Sequence, residues 1–306
     1  MDRVIVIVGP TASGKTALAV ELAKRIDGEV ISCDSMQIYR DMSIGTAKPS
    51  VEEMDGVPHY LIDFVSPDVR YSVADFKRDA EEKIRFVLDS GKVPILCGGT
   101  GLYVDSLVYG IDYPEIEFDQ GYRDELMAVA DSEDGLEKLY EMAMKIDPDA
   151  VLKISRNDKK RITRVLELYR ATGKTKTELE RESRKNGVKY DYRIFAIDMD
   201  REKLYDRINK RVDLMIEQGL VDEVRDIVKK YDKFPTAMQG LGYKEVVEYF
   251  DKKLTMDEMI QKIKQETRRY AKRQLTWFRK NKSIVWIDGL DDREKNLEII
   301  INDFKS

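Results

Sequence analysis

The sequence predicts an α/β protein built on a doubly wound parallel sheet, with an all-helical subdomain inserted near its middle. Three observations carry this. Apolar, β-branched runs alternate with helical patterns along the N-terminal part of the chain. The alternation stops near Pro114, and only helical signals run from Phe118 to about Asn186. A strand pattern returns at Tyr192–Ile197. Strands that alternate with helices imply a parallel sheet covered on both faces, because each crossover lays a helix over it.

The elements follow in order. Residues 3–8 form a continuous β-branched run, the pattern of a strand buried on both faces. A Gly-rich turn and a helix over Ala17–Ile26 follow, then a second strand at Glu29–Cys33. Ser72 with Asp75 caps a long amphipathic helix that runs to about Leu88, and Gly91 closes it. Val93–Cys97 is another buried strand, and it leads into Gly98-Gly-Thr-Gly101. In the helical stretch, Asp147-Pro148 reads as an N-cap with an N1 proline, and Thr175 with Glu178 as a capping box. Helices begin near Arg201 and Thr255, the latter running to about Asn281, and a last strand is expected at Ile284–Ile287. Residues 1–116 and 187–306 are therefore expected to form the core domain, and 117–186 the inserted helical domain.

The 306-residue length suits two domains of about 150 residues each. Apolar residues make up 42% and charged residues 36%, with a mean hydropathy of −0.49. No run approaches the roughly 18 apolar residues of a membrane span, and the N-terminus has no secretory h-region, so a cytoplasmic location is expected. Two cysteines, Cys33 and Cys97, exclude a disulfide framework and a CxxC zinc site, and the single histidine, His59, makes a His-based triad improbable. Chemistry is left to carboxylates, hydroxyls, Lys and Arg, and any metal should be an oxygen-seeking one such as Mg²⁺.

The net charge of −5 hides an asymmetry. Asp112–Glu137 carries ten acids and one base, whereas Lys262–Lys282 carries nine bases and Glu266 alone as an acid. A further basic cluster includes Lys153, Arg156, Lys159, Lys160, Arg161 and Arg164. Such patches matter more for binding a polyanion than the mean does.

The strongest motif is Gly9-Pro10-Thr11-Ala12-Ser13-Gly14-Lys15-Thr16, which fits G-x-x-x-x-G-K-[ST] between a buried strand and a helix. In such a P-loop, successive backbone N–H groups converge on phosphate oxygens, the lysine adds charge, and the Thr16 hydroxyl is placed to ligate Mg²⁺. The fold class is thus P-loop NTPase-like. The motif calls for a diphosphate or triphosphate without specifying ATP. A nucleotide hydrolase needs a carboxylate ending a second strand, yet Val93–Cys97 ends in Gly-Gly-Thr-Gly. The acid that does end a strand is Asp34, a candidate Mg²⁺ ligand or general base, followed by Ser35, Met36 and Gln37, with side chains suited to reading a base. Gly45–Pro49 is a second glycine-and-lysine loop, and Thr100 leaves the carboxyl end of a strand, where open α/β sheets bind ligands. Arg211 falls inside the apolar stripe Leu204, Ile208, Met215 and so calls for an anionic partner. Gln239–Lys244 is a Gly-rich polar turn whose Tyr243 is suited to flanking or stacking on a base. On the Thr255 helix, Met259, Ile263, Tyr270 and Trp277 share one face, opposite Arg268, Lys272 and Arg279.

Taken together, GPTASGKT (9–16), DSMQIY (34–39), IGTAKP (44–49), GVPHYLID (56–63), YSVADF (71–76), GGTGLY (98–103), KRITRVLE (160–167), GLGYKE (240–245) and KRQLTWFR (272–279) resemble the bacterial form of the tRNA dimethylallyltransferase (tRNA isopentenyltransferase) family, in order and over nearly the whole chain. The resemblance implies transfer of a dimethylallyl group from dimethylallyl diphosphate to N6 of adenosine 37, in tRNAs that read codons beginning with U. It makes Gly9–Thr16 the cradle for the donor's diphosphate, with Mg²⁺ as cofactor. By the same likeness Asp34 is the general base, Thr100 the threonine near the reacting group, and Arg211 the phosphate-binding arginine. It assigns tRNA contacts to Asp34, Ser35, Met36 and Gln37; to Lys160, Arg161, Ile162, Thr163 and Arg164; to Gln239, Gly240, Leu241, Gly242, Tyr243 and Lys244; and to Lys272, Arg273, Gln274, Trp277 and Arg279. The partner is then the tRNA anticodon stem-loop, clasped by the inserted helices of a single chain acting as a monomer. An adenylate isopentenyltransferase acting on free AMP or ATP, and a P-loop kinase, remain the alternatives.

Overall fold

The computed structural model describes residues 1–113, 119–183, 187–290 and 292–306. The chain begins with β1 (Arg3–Val8), α1 (Lys15–Ile26) and β2 (Gly28–Ser32). It continues through α2 (Val51–Met54), β3 (His59–Tyr60), α3 (Val73–Asp89), β4 (Val93–Gly98) and α4 (Gly101–Val108). Five helices come next: α5 (Gln120–Ala130), α6 (Gly135–Ile146), α7 (Pro148–Val151), α8 (Lys159–Thr172) and α9 (Lys176–Ser183). The chain then runs through β5 (Asp191–Asp198), α10 (Arg201–Glu217), α11 (Leu220–Lys230), α12 (Tyr243–Phe250), α13 (Met256–Phe278), β6 (Val285–Asp288) and α14 (Arg293–Lys305).

The six strands form one parallel sheet in the order β3-β2-β4-β1-β5-β6. β1 lies inside it, and its five apolar residues Val4–Val8 have no exposed surface. Alternation sends Val4, Val6 and Val8 to one face, against Phe76, Ala80 and Ile84 of α3, Tyr103 and Leu107 of α4, and Phe278 of α13. Ile5 and Ile7 face the other way, onto Leu18, Leu22 and Ala23 of α1 and Leu297 and Ile300 of α14. Burying each such side chain contributes about 1.5–3 kcal/mol, which is why the run forms a strand with helices on both sides. Cys33 belongs to the first face and Cys97 to the second, and both are free thiols. The two-residue edge strand β3 carries too little pattern to be read from sequence; it is recruited by pairing with β2.

A third cluster gathers α10, α11, α12 and α13 around the segment after β2. Ile38, Tyr39 and Met42 pack there with Val212, Leu220, Val224, Ile227, Tyr243, Val246, Met259 and Ile263. The segment is thereby held beside the carboxyl ends of the strands.

The chain divides into two compact units, Met1–Val108 with Lys189–Ser306, and Tyr109–Val188. The domain borders expected at 116/117 and 186/187 involve residues 114–118 and 184–186, which lie outside the described residues. The second unit has its own core, with Leu126, Leu139, Tyr140, Val151, Ile162, Val165 and Leu166 buried together. Its caps are those the sequence predicts: Asp147 accepts from the Ala150 N–H at 3.1 Å, and Thr175 and Glu178 cap one another. Among the described residues no helix is long and apolar enough to cross a membrane.

Candidate active site

The P-loop leaves β1 through Gly9, turns left-handed at Ala12 (φ 63°) and again at Gly14 (φ 92°), and enters α1 at Lys15. Two left-handed residues so spaced bend the backbone into a concavity suited to an anion. The Ser13 hydroxyl is buried there with no hydrogen-bond partner among the described residues. The loop opens onto a cavity of about 390 Å³. Lys15 and Thr16 line it together with Asp34, Gln37, Arg211 and the Gly240–Lys244 turn. Ile208, Val212, Met215 and Ile263 add an apolar wall.

Lys15 donates to the Pro10 carbonyl at 2.7 Å. Burial, with the nearby Arg211 adding to it, brings its pKa down to about 8 against the opposing pull of Cys97 and Asp34. The Arg211 guanidinium is likewise lowered by burial, with Asp34 and Glu53 acting the other way. It donates to Thr11 Oγ1 at 3.4 Å, and no carboxylate among the described residues forms an ion pair with it. Two cations are thus held beside one P-loop, a local excess of charge that a diphosphate would neutralise.

Asp34 follows β2, where the Cys33 N–H donates to the Cys97 carbonyl at 2.8 Å and pins the junction. Its Oδ1 accepts the N–H groups of Met36 (2.8 Å) and Gln37 (3.2 Å), so the turn fixes the carboxylate while Oδ2 carries no hydrogen bond from the described residues. Thr100 stands behind this turn. Its Oγ1 accepts the Ser35 N–H at 3.0 Å and lies 3.3 Å from Ser35 Oγ, so it holds the residue next to Asp34.

Several predicted site residues are spent inside the protein. Gln274 is buried, accepting the Thr11 N–H at 2.9 Å and donating to the Gly99 carbonyl at 2.9 Å; it ties the P-loop to the loop after β4. Trp277 donates Nε1–H to Asp105 at 3.0 Å and covers Gly101, where a Cβ would stand 2.4 Å from the indole. Of that motif Lys272, Arg273 and Arg279 are exposed, Arg279 paired with Asp198 at 3.4 Å. Tyr243 is buried under Gly45 with its phenol donating to Glu223, so its ring is not free to stack on a base. Ile162 and Thr163 lie buried in the core of the helical unit; Lys160 and Arg161 are exposed, and Arg164 pairs with Glu167 at 3.3 Å. Lys48, the lysine of the second glycine loop, donates to the Tyr39 carbonyl at 2.8 Å and to Asp63. That loop is a latch. His59 keeps Nδ1 2.9 Å from the Val57 carbonyl, and burial lowers its pKa.

Sequence reasoning missed Glu223 and placed Tyr270 only on an apolar face. Tyr270 lines the cavity, its phenol raised first by burial and then by the charge of Asp34. Its position three residues after Thr267 on α13, which also faces the cavity, was the available signal. The Trp277 clamp gives a direct check. Gly101→Ala is expected to lower the stability of the fold by about 1–3 kcal/mol through overpacking against the indole. Urea denaturation measures it, and a midpoint equal to or above that of the native protein would remove the clamp.

A parallel sheet with a P-loop at the end of an inner strand, two cations beside it and a carboxylate on the same cavity mark a P-loop α/β protein of the transferase class. The family model described as "IPP transferase" matches residues 37–281, and the chain belongs to this family. It is 52% identical over 298 residues to the tRNA dimethylallyltransferase of Acetivibrio thermocellus, covering 96% of this chain and 95% of that one. Among solved structures it resembles the full-length tRNA isopentenylpyrophosphate transferase of Bacillus halodurans, at 42% identity and TM-score 0.74, covering 100% of this chain and 96% of that chain. It also resembles a eukaryotic dimethylallyltransferase acting on tRNA, at 30% identity and TM-score 0.82, covering 100% and 80%.

Proposed function

We propose that the chain is a tRNA dimethylallyltransferase, moving a dimethylallyl group from dimethylallyl diphosphate to N6 of adenosine 37 in tRNAs that read codons beginning with U. The observation that carries this reading is that one cavity brings together the P-loop, Lys15, Arg211, an apolar wall and the open Oδ2 edge of Asp34. A kinase reading has no use for the apolar wall, and β4 ends without the acid it needs.

In the reaction the bond from the allylic carbon to the diphosphate oxygen breaks, its electron pair leaving with the diphosphate. The adenine nitrogen forms the new bond to that carbon and gives up a proton. Lys15, Arg211 and the N–H groups of the P-loop stabilise the charge on the departing group. Asp34 Oδ2 orients the amine and accepts its proton. Reaching the cavity requires the base to leave its stack, which costs less in a single-stranded loop than in a duplex.

Thr16 and Asp34, a hydroxyl and a carboxylate lining the same cavity, are the oxygen donors that would hold Mg²⁺. When bound, the ion would offset negative charge on the leaving group. The exposed cations Lys160 and Arg161, together with Lys244, Lys272 and Arg273, are the expected contacts to the RNA backbone.

Radiolabelled dimethylallyl diphosphate offered with an A37 anticodon stem-loop, its G37 variant, or AMP tests the proposal. Label in the A37 RNA alone is the expected result. Label in AMP would make the protein a free-nucleotide enzyme, and ATP turnover without transfer would make it a kinase.

A further inference from the structure

We infer that Glu223, outside every motif singled out in the sequence, is a positioning residue that sets the acceptor side of the cavity. The inference rests on the function proposed above for what that side binds.

Glu223 lies in the first turn of α11. Its Oε2 accepts the N–H groups of Ser43 (2.9 Å) and Ile44 (2.7 Å). Its Oε1 accepts the Gly45 N–H (3.1 Å) and the Tyr243 phenol (2.7 Å). An ionised carboxylate has about four lone-pair sites, and here all of them are taken. Three successive backbone N–H groups on one carboxylate fix the path of the 43–47 loop, and the fourth bond ties that loop to the 240–244 turn. Both segments line the cavity.

From the loop the constraint passes inward. The carbonyls of Thr46 (3.3 Å) and Ala47 (3.1 Å) accept the Gln37 side-chain amide, whose own oxygen accepts from the Ser32 hydroxyl at 3.3 Å. Gln37 is thereby held in one orientation, and its backbone N–H is one of the two that cap Asp34 Oδ1. A path of hydrogen bonds thus runs from Glu223 through the loop and Gln37 to the proposed general base. It does not include the donor side, where Gln274 ties Thr11 to Gly99.

The bland alternative is an acid that merely favours the N-terminus of α11. Asp222 tests that alternative, since it lies in the same first turn and, among the described residues, pairs only with the exposed Arg225. Glu223→Gln keeps the size but turns an NH₂ group toward N–H donors, leaving at least one loop bond unmade. Lys48 still anchors the far end of the loop through Tyr39 and Asp63, so the variant is expected to fold.

Three readouts are taken on the full chain. For Glu223→Gln, KM for the A37 stem-loop should rise about tenfold or more, the loss associated with a hydrogen bond to a charged group. Affinity for inorganic diphosphate should stay within about twofold, because Glu223 bonds the 43–45 backbone and Tyr243, whereas the P-loop is held separately by Gln274. Amide exchange at Ser43, Ile44 and Gly45 should become about a hundredfold faster as the loop opens locally. Glu223→Asp, which keeps the charge, should recover part of the KM effect, and Asp222→Asn should leave KM and loop exchange as they are. The proposal is overturned by an unchanged KM, by an equal loss of diphosphate affinity, or by Asp222→Asn acting like Glu223→Gln. If the wild-type protein transfers no label to A37, the functional reading fails, while the exchange arm still decides whether Glu223 holds the loop.

Discussion

Replacing Asp34 by alanine is expected to lower kcat for transfer to an A37 stem-loop by about 10²–10⁴, the range general-base catalysis contributes. Alanine removes two things at once, however. It takes away the carboxylate that receives the N6 proton, and it strips the cap from Met36 and Gln37, whose N–H groups lie 2.8 and 3.2 Å from Oδ1. Asp34→Asn separates them. The asparagine oxygen can accept the same two N–H groups, so the turn persists, while its amide nitrogen has no proton-accepting capacity. The asparagine variant should therefore lose kcat nearly as severely as alanine but keep a near-native KM for RNA. Alanine should lose both. Single-turnover transfer with each variant measures this, and near-normal turnover in Asp34→Asn would end the case for Asp34 as the base.

Much of the fold was legible because its signals are local. The apolar run Val4–Val8 could only be a strand buried on both faces, and the P-loop followed it at the spacing the turn requires. Caps at Ser72, Asp147, Thr175 and Thr255 depend on residues a few positions apart, and all four form. Long-range polar contacts were not legible. Gln274 reads as a polar residue in a basic helix, and its burial depends on Thr11 and Gly99 arriving from 263 and 175 residues away. Its motif is as much a clamp as a surface. Glu223 reads as an ordinary acid at a helix start, and only the tertiary fold brings Ser43 to it across 180 residues. Tyr243 was read from residue type and Thr163 from the family likeness of its segment, and neither can tell an exposed polar or aromatic group from one buried with a partner. Both are buried.

The donor side gives the second large effect. Lys15→Ala should cut kcat/KM for dimethylallyl diphosphate by about 10²–10³, the loss seen when one preorganised donor to a developing negative charge is removed. Its pH dependence is more diagnostic than its size. The Lys15 ammonium titrates at about 8, down from 10.5, because it is buried and Arg211 stands nearby. Below about 8 it is charged and ready for a diphosphate; above that it is neutral, and binding must include proton uptake. The dissociation constant for inorganic diphosphate should therefore rise about tenfold per pH unit above 8, with a slope that Lys15→Ala lacks. Arg211 cannot supply this slope, since guanidinium stays charged throughout the range. Folding stability must move the opposite way. Between about 8 and 10.5 the unfolded chain holds a proton on Lys15 that the folded protein has released, so this residue's contribution to stability rises with pH across that window. Calorimetric binding and urea denaturation, compared between native protein and Lys15→Ala, should show binding weakening while stability gains. If both trends run in the same direction, or neither differs from the variant, Lys15 is not the group that titrates in the cradle.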